Sequence, residues 1–234
     1  RYGIFERERL RINSPDVEVY NEAVEGLHGL VDLGAELRGR GIKASLVLLA
    51  DELIDMPKNR DSVFRIFDSR EHFYLSEERD PGKRWLVRCV SPFDIPEIAT
   101  IGAFDLDLVS PSPFSSSVNV IHRTFTDLAF TFRNSGTVPI VMRSQNDTEI
   151  TFKGASSGLS IRNLTTGDIW TYEGTTTITD TITLKGVRSL KNGQSIFGKT
   201  NKHLLSFAVG NNEIEVSGAI GVFNLTISTR FYFL

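Results

Sequence analysis

Residues 193–200 read GQSIFGKT and match the spacing G-x-x-x-x-G-K-T of a phosphate-cradling loop. In that chemistry backbone N–H groups wrap a phosphate, Lys199 meets the terminal phosphates and Thr200 holds Mg²⁺. The loop must also leave a buried strand and open a long helix. Neither flank supplies this. Arg188, Lys191 and Asn192 precede it, and the segment behind it is cut off at Gly210-Asn211-Asn212. Turns of a β domain, at Lys191-Asn192-Gly193 and Gly198, fit these residues better than a nucleotide site.

Trp170 and Tyr172 stand two apart on one predicted strand, so they share a face. Two exposed rings there could stack a sugar; two buried ones would belong to a core. Histidines 28, 72, 122 and 203 are isolated, with no Cys or carboxylate at ligand spacing, so no metal is expected. Cys89 shares a strand face with Trp85 and Val87, a place for packing rather than nucleophilic attack. Ser156 stands in a G-x-S-x-G spacing at 154–158, but that string reads as a turn between strands rather than a strand-to-helix elbow. The expectation is a protein that is not an enzyme and uses no cofactor.

The elements that carry these residues are mostly strands. Residues 72–77 and 83–90 alternate apolar and polar side chains around Arg79-Asp80-Pro81-Gly82, a hairpin with a turn at the Pro-Gly pair. Its outward residues Arg79, Asp80, Lys83 and Arg84 make a charged tip suited to contact with another subunit, with Trp85 anchoring it to the core. Before it lies the one convincing helix, about 59–69. Pro57 precedes it, Asn59 or Asp61 could cap it, and Val63, Phe64 and Phe67 form its apolar stripe. Residues 42–49 read as a strand apolar on both faces, 26–34 as a glycine-rich loop, and 101–109 as a strand with one wet face.

The segment 110–117, with five serines and two prolines, breaks the composition. It divides the chain into domains 1–117 and 118–234. The first carries 15 Lys/Arg against 21 Asp/Glu, a net −6; the second carries 11 against 8, a net +3. The total of −3 argues against a sequence-specific nucleic-acid binder, and no apolar run is long enough for membrane insertion. The second half shows short strands at regular spacing, including 149–153, 159–163, 177–184, 204–209, 212–216 and 225–233. This is the pattern of an all-β sandwich.

Taken together, FRIFDSREHFYLSEERDPGKRWLVRCVSPFDI at 64–95, LRGRGIKASLVL at 37–48, FDLDLVSPSPF at 104–114 and LSIRNLTTGDIWTY at 159–172 resemble the distal tail protein (Dit) family of long-tailed bacteriophages. The likeness runs in order along nearly the whole chain. It implies a mainly β fold of two β-sandwich-like domains. The first would be a tail-tube-like ring domain with one helix, the second a galectin-like or carbohydrate-module-like sandwich. It also implies a structural hub at the virion tail tip, made in the host cytoplasm. Copies of the chain would form a homo-hexameric ring with a central channel for DNA. The implied partners are the tail-tube protein, a tail-associated tail-tip protein and receptor-binding proteins. A carbohydrate-binding module using Trp170 and Tyr172 is the competing reading.

Overall fold

The computed structural model describes residues 3–143 and 147–234. The chain is mainly β with one α-helix, as the sequence led us to expect, and it forms two compact units, 1–115 and 116–234.

In the first unit the strands are β1 (Ile4–Ile12), β2 (Val17–Glu22), β3 (Val31–Leu37) and β4 (Arg40–Leu49). Helix α1 (Met56–Ile66) follows, then β5 (Phe73–Glu77), β6 (Asp80–Cys89), β7 (Glu97–Ile98) and β8 (Ile101–Ser110). An antiparallel sheet runs β1-β4-β8-β6, with β5 added on β6 and β7 on β8. Strands β4 and β8 pair without a break from Arg40↔Ser110 to Leu49↔Ile101. Period-two alternation then turns Ile42, Ala44 and Leu48 inward with Phe104, Leu106 and Leu108, over which Met56 and Val63 of α1 are buried.

The helix starts three residues before 59. Pro57 lies in its first turn, where a missing N–H costs nothing, so the proline opens the helix instead of preceding it. Asn59 and Asp61 lie inside it, and the N-cap residue, Asp55, makes no side-chain cap bond. The helix ends at Ile66, where the Phe67 N–H donates to the Val63 carbonyl at 3.0 Å. Phe67 then joins a ring cluster, edge-on to Phe73 at 5.7 Å and to Phe93 at 6.4 Å. Phe64 is only partly covered, edge-on to Phe93.

Three other expectations change. Leu49 is exposed, so β4 is not buried on both faces. The residues 31–34 belong to β3 rather than to a loop. Gly34, at φ +105°, sits where the β2–β3 register slips, a bulge conformation glycine adopts without strain. The β5–β6 turn is Glu78-Arg79, because Glu77 pairs with Asp80; Pro81 and Gly82 are the opening residues of β6, where a strand tolerates a missing donor.

The division between the units falls within β9 (Ser115–Ser117), and the second unit continues with β10 (Ile121–Phe125), β11 (Ala129–Asn134), β12 (Ile140–Val141), β13 (Glu149–Asn163) and β14 (Ile169–Thr176). Then come β15 (Thr181–Lys185), β16 (Arg188–Lys191), β17 (Gln194–Ser195), β18 (Ser206–Phe207), β19 (Gly210–Thr229) and β20 (Tyr232–Phe233). Its main sheet runs β10-β19-β13-β15-β16-β17, with β11 on β19 and β14 on β13, beside a small β12–β18 pair. Segments 149–153 and 159–163 turn out to be one strand, β13, and 212–216 and 225–229 are one strand, β19. Gly154, Gly158, Gly218 and Gly221 have positive φ, and the β13–β19 register shifts near them. At 154 and 218 a side chain would also collide, with Phe223 or with the backbone at 157–158. The glycines bend long strands instead of ending them. Conversely, residues 177–180 form a turn closed by the Asp180 carboxylate, which accepts the Thr177 N–H at 2.7 Å, so β15 begins only at Thr181.

Candidate functional site

Two hairpins of the first unit hold its surface features, and the sequence pointed toward one of them, β5–β6. The β5–β6 hairpin pairs Phe73 with Val87 and Leu75 with Trp85, so these four share the inward face. Trp85 is 9% exposed, and the Arg40 guanidinium lies 4.8 Å from its ring centroid. Arg40 is itself buried, and desolvation lowers its pKa. Trp85 therefore ties the hairpin to the core, as predicted from its inward register.

The tip is less available than its charges suggest. Arg79 is ion-paired with Glu77, and the Lys83 Nζ lies 2.8 Å from Asp80 Oδ2. The Arg84 guanidinium sits 3.6 Å over the Tyr74 ring. At the base, Arg88 approaches His72 Nδ1 at 3.1 Å, and Asp68 is held by Arg70, whose side-chain hydrogen bonds bring the Asp68 pKa down to about 2. The four candidate contact residues thus lie together in space but largely satisfy one another or their own hairpin.

The β2–β3 hairpin is the feature the sequence reading missed. Val17↔Leu37 and Val19↔Ala35 put four apolar side chains on one face, and that face is wet: Val17 is 57% and Val19 56% exposed. Leu33 is likewise exposed at 60%, as are Leu27 and Leu30 near the tip. The opposite face is a polar network in which Arg38 bonds Glu18 and, at 2.6 Å, the Tyr20 hydroxyl. The signal was present in the alternation of Val17 and Val19 with Glu18 and Tyr20. It gave no hint that nothing in this unit would cover the apolar side.

Trp170 and Tyr172 correct the sugar-stacking expectation. They do share a face, but that face is the core: Trp170 is 1% and Tyr172 4% exposed. The Trp170 Nε1–H donates to Ser189 Oγ at 3.2 Å, and the Tyr172 ring lies across Gly174, where any side chain would strike it. A stacking platform needs an open ring face, and neither residue presents one.

The 193–200 run forms the short strand β17 and a single 3₁₀ turn, Phe197–Lys199, with no helix behind it. It borders an open cavity of about 720 Å³ with Asp180, Lys191 and Asn192. Those polar groups are already engaged. Asp180 accepts from Thr177, Asn192 and Lys191, which holds its carboxyl far below the usual range, and Asn192 Oδ1 accepts the Thr181 N–H at 2.9 Å. The network fastens the 177–181 turn to Lys191 and Asn192. Cys89 is buried, which raises its thiol pKa and suits packing. Among the described residues no group of three or more His, Cys, Asp or Glu side chains is placed to hold a metal ion, and no helix is long and apolar enough to cross a membrane.

Residues 2–110 match the family model of the phage tail protein RIFT-related domain. Among solved structures the chain is similar to the Dit protein of phage SPP1, described as a paradigm of hub adsorption apparatus in phages that infect Gram-positive bacteria. The TM-score is 0.75 at 13% identity, covering 98% of this chain and 94% of that one. A component of the phage P2 baseplate in its activated conformation aligns over 95% of this chain and 91% of that one, at 8% identity and a TM-score of 0.40, too slight a likeness to bear on the fold. No curated protein matches the sequence. The resemblance carried by the strings at 37–48, 64–95, 104–114 and 159–172 therefore holds as a likeness: residues 2–110 match the model of the phage tail protein RIFT-related domain, and the whole chain shares the fold of the SPP1 Dit protein.

Proposed function

We propose that this chain is a structural hub of a phage tail tip. In this reading six copies form a ring around a channel wide enough for DNA. The ring joins the tail tube to the tail-tip or baseplate proteins and, through them, to receptor-binding proteins. The chain works by assembly and carries out no reaction.

The observation that carries the proposal is the β2–β3 hairpin. A two-stranded ribbon on its own is marginal in water, and this one presents Val17, Val19, Leu33 and Leu37 to solvent. Apolar surface of this kind is stabilised when a second chain covers it, at roughly 25 cal/mol for each Å² removed from water. A ring of identical copies supplies that cover to every hairpin at once and leaves none over. The family match of the first unit and the distal-tail fold of the whole chain support the same reading. In the same reading the charged β5–β6 tip, with Arg79, Asp80, Lys83 and Arg84, would meet the neighbouring copy or the adjoining tail-tube ring.

Light scattering and negative-stain electron microscopy at rising protein concentration test this. Rings of uniform size are expected. Monomer alone at the highest soluble concentration, with no ring on the grid, overturns it.

A further inference from the structure

A groove in the first unit remains unexplained by the hub reading. Its floor is apolar, made by Ala44 and Leu46 of β4, Leu106 and Leu108 of β8, and Phe67 behind α1. One wall is β1, through Ile4, Glu6, Glu8 and Leu10; the other is the end of β5 and its turn, through Leu75, Ser76, Glu77 and Glu78. The enclosed volume is about 310 Å³.

Both walls are sheet edges. Among the described residues strand β1 pairs only with β4, and β5 only with β6. Each faces the groove with its inward residues and has one side unpaired. An extended chain laid between them would continue either ladder and cover Ile4, Leu10, Leu46 and Leu75, which now lie half-buried.

The rim selects the charge of the occupant. Glu8 is paired with Arg11 and Glu77 with Arg79. Glu6 accepts the Leu10 N–H at 2.9 Å, and among the described residues neither Glu6 nor Glu78 has an ion-pair partner. Among the described residues these two exposed carboxylates thus stand without a cationic partner at the rim of an apolar floor, open to a cation from an incoming chain. The chain's own exposed hairpin suits this poorly: residues 17–38 carry five acidic side chains and one basic one, so a second copy would bring like charge to like charge.

We propose that this groove receives an extended segment of another protein, in which apolar side chains facing the floor alternate with Lys or Arg reaching Glu6 and Glu78. The apolar positions supply burial, and the two carboxylates set register and reject acidic strands. The contact is separate from ring formation and is available to a single copy.

The test uses the full chain below its assembly concentration, with a blocked octapeptide alternating Lys and Val as probe. Saturable binding that weakens with salt is expected, with slower amide exchange along β1. The E6Q/E78Q double variant should bind about tenfold more weakly, the scale of two partly exposed ion pairs. Ser76→Trp, at an exposed position on the wall, should abolish binding without changing the melting temperature. A Glu/Val octapeptide that binds equally well overturns the proposal, as does no binding of the Lys/Val peptide at millimolar concentration. So does loss of ring formation, rather than of peptide binding, in the Ser76→Trp variant: the occupant is then a second copy.

Discussion

The first unit contains two antiparallel hairpins with the same local grammar and opposite fates. In β5–β6 the apolar residues Phe73, Leu75, Trp85 and Val87 turn onto the body of the domain, and Trp85 and Val87 are buried. In β2–β3 the apolar residues Val17, Val19, Ala35 and Leu37 turn onto nothing within this unit, and all four are exposed. Alternation marks a strand with two unlike faces; it does not say what, if anything, lies against the apolar one. The first hairpin is stabilised by its own domain. In the proposed ring the second is covered by another chain, and that difference would separate the part of the molecule that folds from the part that assembles.

Single substitutions can break that contrast. The largest effect on folding is expected from Trp85→Ala, which removes an anchoring ring and its contact with Arg40. It should destabilise the first unit by about 3–5 kcal/mol, read by thermal or urea unfolding. Val19→Ala should stay within about 0.5 kcal/mol in the same measurement, because its side chain is already in water. A matching loss for both would mean the β2–β3 face is covered within the monomer. In assembly the order reverses. Val19→Asp with Leu37→Asp should eliminate rings while leaving the melting temperature of the monomer unchanged; rings that persist would remove the hairpin from the interface.

A smaller effect is expected from reversing Arg79 and Lys83 to Glu. Both now pair inside their own hairpin, with Glu77 and Asp80. Reversal should weaken assembly, as seen in the concentration at which rings appear, and leave the monomer folded. Unaltered assembly would make the tip a solvated turn. The smallest effect concerns acid. Asp68 at the base of β5–β6 titrates at about 2, below its ordinary 3.8, through its hydrogen bonds from Arg70. Its folded-state pKa is depressed, so its stabilising contribution is complete above the ordinary value and fades as pH falls from about 4 through 2. An Asp68→Asn variant should show a shallower decline in melting temperature over that window. High salt should shrink the difference, since the pair is exposed. Identical pH profiles would show that the pair contributes nothing.

How far the sequence could be read follows from how local each decision is. The helix was visible because Val63 and Phe67 are one turn apart and Pro57 stands at its entrance, all within a dozen residues. Its start was misplaced because a proline can precede a first turn or belong to it, and only the backbone tells which. The turn of β5–β6 was misplaced for a similar reason: Pro81-Gly82 satisfies turn geometry locally, but the pairing Glu77↔Asp80 closes the hairpin at Glu78-Arg79, three residues earlier. Gly154 follows the predicted strand 149–153, and Gly218 lies just beyond the predicted strand 212–216. They are bulges because β13 and β19, some sixty residues apart, pair across them, and that partner is invisible in either segment alone.

The candidate site divides along the same line. The charged tip could be named in advance because Arg79, Asp80, Lys83 and Arg84 are neighbours in the chain. Their mutual neutralisation could not, since it depends on rotamers and on Tyr74 from the opposite strand. By itself the sequence determined the mainly β character, the helix, the strand faces and a family likeness spread over distant strings. These rest on periodicity and side-chain type, which a strand or helix carries with it. Only the tertiary structure decided which apolar face is inside. Trp170 with Tyr172 and Val17 with Val19 are the same i, i+2 pattern; the first pair is sealed in a core and the second stands in water. Burial depends on what the rest of the chain brings against a face, and no stretch of residues holds that information alone.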